Sequence, residues 1–258
     1  MISKKPGEAK TKPPKTNTKS HDNLIRSFGR IKTRKLSKAK KDKIQNLLPK
    51  ISIRIPDFKL EKVVKIDPKK FFDFQPKEIW LEIGFGFGEH IFERARKNKN
   101  IGIIGCEPHV NGVASLLNKI SDYNEKVEEK IQNIRILNGD ARILLNKLKA
   151  NSLSKIFILF PDPWPKKRHH KRRIIQLEFL DLLSSKLKKG GTLFFASDIE
   201  GYIGWTLEKV VRNSKFKWTA KSEKDWKQEP KWWVRTRYQD KAIREGRTSA
   251  FLEFKNIN

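Results

Sequence analysis

From about Lys77 onward, apolar positions gather into short runs separated by longer mixed segments. "EIWLEIG" (78–84), "NIGIIGCEP" (100–108), "NIRILNGD" (133–140), "KIFILFPD" (155–162) and "GTLFFASD" (191–198) are near-continuous apolar stretches of strand length. That is the pattern of strands buried on both faces. "GEHIFERARK" and "IIQLEFLDLLSSKLKKG" have helix-like patterning instead, and the second ends in lysines and a glycine pair, as a helix C-terminus does. Such alternation predicts βαβ units in an α/β fold with a doubly wound, mostly parallel sheet. "TSAFLEFK" reads as a late strand, antiparallel at the sheet edge.

Before Lys77 the pattern is weaker. Residues 1–50 hold 16 Lys and Arg against 3 Asp and Glu, nearly half of the chain's net positive excess. Up to about Ser20 the composition is Lys, Pro, Thr and Gly, which buries too little apolar surface to stay ordered. The following "IRSFGRIKTRKLSKAKKDKIQNLLPK" has scattered apolar residues suited to partial folding on a partner. The expectation is a basic, largely disordered extension over 1–50 and one folded domain over 51–258.

Charge and composition then narrow the class. Lys and Arg number 58 against 29 Asp and Glu in 258 residues, a net +29, which predicts attraction to a polyanion, nucleic acid ahead of an anionic membrane. No apolar run has the length of a transmembrane helix. The basic N-terminus lacks the apolar core of a secretory signal. Cys106 is the only cysteine, so neither an internal disulfide nor a cysteine-based zinc site is expected. His21, His90, His109, His169 and His170 show no ligand spacing. We expect a cytoplasmic protein without a metal, and leave monomer and homodimer both open.

Candidate chemistry sits at the strand ends, where open α/β sheets bind ligands. Glu82, Glu107, Asp140, Asp162 and Asp198 close five successive apolar runs. Any one could simply cap the next helix, but five in succession suggest a site. The turn "LEIGFGFGEH" brings Gly84, Gly86 and Gly88 to the first strand end, allowing backbone to approach a ligand closely. Glu89 stands where a dinucleotide fingerprint wants its third glycine, and the Walker lysine is absent. An acidic loop favours a cofactor with a sulfonium and an amino group and no phosphate, which describes S-adenosylmethionine. Glu107 would bind its ribose hydroxyls and Asp140 its adenine edge, with helix capping the alternative for both.

"FPDPWPKKRHHKRR" (160–173) is the most specific stretch, a carboxylate and a tryptophan among prolines followed by a basic run. Together with "LEIGFGFGEH", "GCEPH", "NGDA", "ASDIEGY" and "TRYQDKAIREG" it resembles the bacterial tRNA (guanine-N7-)-methyltransferase family, over roughly residues 77–255. The resemblance implies a Rossmann-like class I S-adenosylmethionine-dependent methyltransferase fold. It also implies methylation of guanine N7 in the tRNA variable loop, usually at position 46. By position it implies cofactor binding by Glu82, Glu107, Asp140 and Asp162, with Asp162 also catalytic. Lys166, Asp198, Thr236, Arg237, Tyr238 and Gln239 would then contact substrate, and Arg168, Lys171, Arg172 and Arg173 would meet RNA. The family pattern has glutamate where this chain has Gln239. Trp226, Trp232, Trp233 and Tyr238 offer rings for stacking on bases, although Trp232 or Trp233 could equally be core.

Overall fold

The computed structural model describes residues 35–55 and 65–258 of the chain. In chain order the helices are α1 (Lys38–Asn46), α2 (Leu48–Ile51), α3 (Glu89–Lys97), α4 (Val110–Asn124), α5 (Ala141–Leu145), α6 (Leu177–Lys186), α7 (Glu200–Asn213), α8 (Lys224–Lys227) and α9 (Arg237–Arg244). The strands are β1 (Glu78–Ile83), β2 (Ile101–Cys106), β3 (Ile134–Leu137), β4 (Leu153–Leu159), β5 (Leu187–Ser197), β6 (Phe216–Trp218) and β7 (Ala250–Asn256). Among the described residues they form one sheet in the order β3-β2-β1-β4-β5-β7-β6. β1 to β5 run parallel, and β7 lies antiparallel to both β5 and β6.

The expected doubly wound sheet is therefore present. The strand order reverses between the parallel neighbours β1 and β4, a switch point that opens a crevice at the strand ends. Side chains alternate across β1. Ile79, Leu81 and Ile83 join one apolar cluster with residues of α5, α6 and α7. Trp80 joins a second cluster with residues of α3 and α4. Core on both faces explains why the strands read as continuous apolar runs.

Two expectations are corrected. The segment 174–190 is not one helix: α6 ends at Lys186, and Leu187 turns extended at φ −72, ψ 139. Leu187 is fully buried and pairs with Leu153, after which the register shifts before Lys155 pairs with Thr192. The glycine pair Gly190–Gly191 thus serves an irregularity in β5, with Gly190 at φ +73. β7 is antiparallel as expected but interior, because the three-residue β6 takes the edge. Residues 38–51, at the end of the basic segment, are helical and packed. Ser37 caps α1, Lys43 of α1 bonds Ser121 and pairs with Glu125 at 3.4 Å, and Ser52 beyond α2 forms a parallel bridge to Ile136 of β3. Residues 1–34 lie outside the described residues.

Candidate functional site

The crevice at the switch point is a cavity of about 1090 Å³. Ile83, Gly84 and Gly86 form one wall with Glu107 at the end of β2. Gly86 has φ +55, and α4 comes so close that a Cβ on Gly112 would lie 2.2 Å from the Gly86 carbonyl oxygen. Only glycine fits Gly112, and that approach locks the turn onto the helix. Glu107 is 7% exposed. Gly86 N–H donates to its Oε2 at 2.8 Å and His109 N–H to its Oε1 at 2.8 Å. Burial pushes this carboxyl up to about 7 against those two hydrogen bonds, with Asp162 and Glu82 adding to the rise. Cys106 beside it is buried, which pushes its thiol up and keeps it protonated.

Asp140 stands at the same end. It caps α5 by accepting from Arg142 N–H at 2.9 Å, and pairs with the Arg142 guanidinium at 2.6 Å. The capping alternative and the cavity position therefore hold together, since Asp140 also lines the cavity.

The other end of the cavity is the loop after β4. Phe160 and Trp164 adopt φ +48 and φ +44, conformations rare outside glycine, on either side of Pro161-Asp162-Pro163. Asp162 is exposed on the cavity wall. Arg173 anchors this strained loop: it is 4% exposed, donates to the Pro163 and Gly201 carbonyls at 2.9 Å, and stacks on Tyr202 and Trp205. Its neighbours differ. Lys166, Arg168 and Lys171 are exposed, and Arg172 lies 5.0 Å over the Trp164 ring.

The segment 232–239 divides likewise. Trp232 and Trp233 pack against His90, Phe194 and Phe251, and Trp226 against Trp218. Thr236 is buried and caps α9. Gln239 is 2% exposed, accepts from Trp233 Nε1 at 2.6 Å and donates to Glu229 at 2.8 Å. Arg237 pairs with Glu89 over the Phe87 ring, while Tyr238 is 41% exposed and lines the cavity.

The family described as "Putative methyltransferase" matches residues 76–252. A tRNA (guanine-N(7)-)-methyltransferase of Ruegeria sp. is 47% identical over 70% of this chain and 69% of its own length. One of Agrobacterium fabrum is 42% identical over 88% of this chain and 93% of its own. This chain belongs to the tRNA (guanine-N7)-methyltransferase family. The solved 16S rRNA methyltransferase KamB, 12% identical over 70% of this chain and 89% of that one, shares the fold at a TM-score of 0.50.

The methyltransferase cofactor is S-adenosylmethionine, and the cavity fits it. A Cβ on Gly84 would meet no atom within 4 Å and project into open space. Glu107 is held by amides on both oxygens yet keeps further acceptor capacity for two hydroxyls. Carboxylates at this end suit a cationic ligand without phosphate. Gly84, Gly86, Glu107, Asp140, Asp162, Lys171, Arg172, Arg173 and Tyr238 all line this one cavity. Glu82, Lys166, Arg168, Asp198, Thr236, Arg237 and Gln239 do not. Glu82 points to the other face of β1, where it shares a 2.7 Å hydrogen bond with buried His90. Asp198 accepts from Arg247 at 2.6 Å. Sequence reasoning missed Gly112 and His90. The "GEH" and "VNG" contexts carry no period or spacing that announces their long-range partners. Among the described residues no group of three His, Cys, Asp or Glu could hold a metal ion.

Proposed function

We propose that the protein methylates guanine N7 in tRNA, at position 46 of the variable loop. The observation that carries this reading is the continuity of one cavity from the acidic cradle at Glu107 to the Pro-Asp-Pro-Trp loop and its flanking cations. The names of the relatives point to the same nucleotide chemistry.

Glu107, Gly84, Gly86 and Asp140 hold the cofactor. When bound, S-adenosylmethionine supplies a methyl group on a positively charged sulfur, open to attack by a lone pair. Guanine N7 already carries such a lone pair, so no side chain has to remove a proton first, and positioning can supply much of the barrier reduction. The purine becomes cationic as the bond forms. The Asp162 carboxylate, held between two prolines and anchored through Arg173, balances that charge electrostatically rather than acting as a general base. Lys166, Arg168 and Lys171 steer the RNA phosphates toward a cavity whose acids would otherwise repel them.

The test is a purified-protein reaction with S-adenosylmethionine and a tRNA transcript, followed by nucleoside mass spectrometry. N7-methylguanosine should form, and it should vanish when the transcript carries adenosine at position 46. Methylation of any other atom, or persistence of the product on the altered transcript, overturns the reading.

A further inference from the structure

By resemblance Tyr238 belongs to an RNA-facing segment, but its surroundings belong to the cofactor end. A Cβ on Gly86 would lie 2.8 Å from Tyr238 Cε2 and 3.2 Å from its hydroxyl oxygen. The phenol therefore sits directly against the residue whose amide orients Glu107. Its neighbours fix it there. Arg237 lies 3.7 Å over the Phe87 ring and donates to Glu89 at 2.7 Å. Gln239 is bonded to Trp233, which fixes the first turn of α9, and Arg237 and Tyr238 tie that turn to the glycine turn. Nevertheless Tyr238 remains 41% exposed and borders the cavity instead of packing into the core. Burial, then the Glu107 charge, raise its hydroxyl above the usual range, so it stays protonated and able to donate.

We infer that Tyr238 is a cofactor-contacting residue, the roof of the cradle built by Gly84, Gly86 and Glu107. This rests on reading the cavity as the S-adenosylmethionine site. In the same turn Arg237 is exposed yet held by Glu89 and the Phe87 ring, so the turn that carries Tyr238 is tied to the glycine turn at two points.

Calorimetry of the full chain with S-adenosylmethionine and no RNA tests the assignment apart from catalysis. Tyr238→Ala should weaken binding by about tenfold, the scale of a lost aromatic contact, and Tyr238→Phe by less, because it keeps the ring. Should Tyr238→Ala fail to fold, Tyr238→Leu carries the same expectation. Wild-type affinity in Tyr238→Ala or Tyr238→Leu, beside loss of binding in Glu107→Ala, overturns the roof and leaves the cofactor site standing. Absence of binding by the unaltered chain overturns both.

Discussion

Glu107 and Asp162 border the same cavity, yet they are held by different means. Glu107 is 7% exposed, with each oxygen already fixed by a backbone amide. Asp162 is exposed on a loop whose shape comes from prolines, two residues at positive φ, and the buried Arg173. The cofactor end is thus organised before any ligand arrives. At the other end the loop backbone is fixed, but Asp162 and the cations that follow it stand in water, where the proposed RNA substrate would cover them. A small ligand rewards the first design, because a preorganised site lowers the ordering cost of binding. A large polyanion whose approach is electrostatic rewards the second.

Asp162→Asn is the sharpest way to break this contrast. It keeps the size of the side chain and removes the charge that we propose balances the methylated purine. Single-turnover methylation should fall by about a hundredfold or more, the scale of losing one preorganised charge, while calorimetric S-adenosylmethionine affinity stays near that of the unaltered chain. A near-normal turnover rate would reduce Asp162 to a turn residue.

Two cations in the basic run should behave in opposite ways. Arg173→Ala removes two hydrogen bonds from a charged group and its packing on two rings. About 2–3 kcal/mol of stability should be lost, read as a lower midpoint in denaturant. Arg168→Ala should leave the midpoint unchanged and reduce the slope of log binding against log salt by about one phosphate contact. If both variants shift only the salt slope, Arg173 faces RNA and the anchoring account fails.

The buried end should respond to pH. Glu107 is pushed up to about 7 by burial, and hydroxyl donors favour the ionised form. Affinity for S-adenosylmethionine should therefore rise with pH and fall about tenfold between pH 8 and pH 6, where most Glu107 is protonated. The stability effect has the opposite sign. The folded chain holds this proton to a higher pH than the unfolded chain, so the Glu107 contribution diminishes as pH rises from about 4.5 to about 7. A flat affinity profile from pH 6 to pH 8 would mean that Glu107 is not the hydroxyl acceptor.

What the sequence made legible follows from range. Strands buried on both faces write themselves as apolar runs, and glycines at a turn are local, so the sheet and the cradle could be read directly. The end of α6 could not, because Leu187 is fixed in a strand by Leu153, which lies 34 residues away. β6 has only three residues, too short for a period. Direction of side chains was hardest: Glu82 turns to His90, Asp198 to Arg247, and Gln239 to Trp233 and Glu229. Which way each faced depended on partners brought together only by folding.

Gln239 yields the smallest effect and the one whose sign separates the two descriptions of this segment. Read from the sequence alone, a glutamate here would offer two acceptors to the donor edge of guanine, so Gln239→Glu would raise methylation efficiency. The structure spends the amide on the protein. Its oxygen accepts from Trp233 at 2.6 Å, and its NH₂ donates at 2.8 Å to the Glu229 oxygen that also takes Arg235 at 2.9 Å. A glutamate would keep the first bond and set a carboxylate against a carboxylate in place of the second. Arg235 offsets part of that repulsion, and Glu229 is partly in water, so the cost should be modest, about 1 kcal/mol. Gln239→Glu should lower the denaturation midpoint slightly and leave kcat/KM for tRNA no higher than before. Adding Glu229→Gln in the same chain restores a donor to face the new acceptor and should recover the midpoint. Higher kcat/KM with an unchanged midpoint would show that position 239 reaches the base after all.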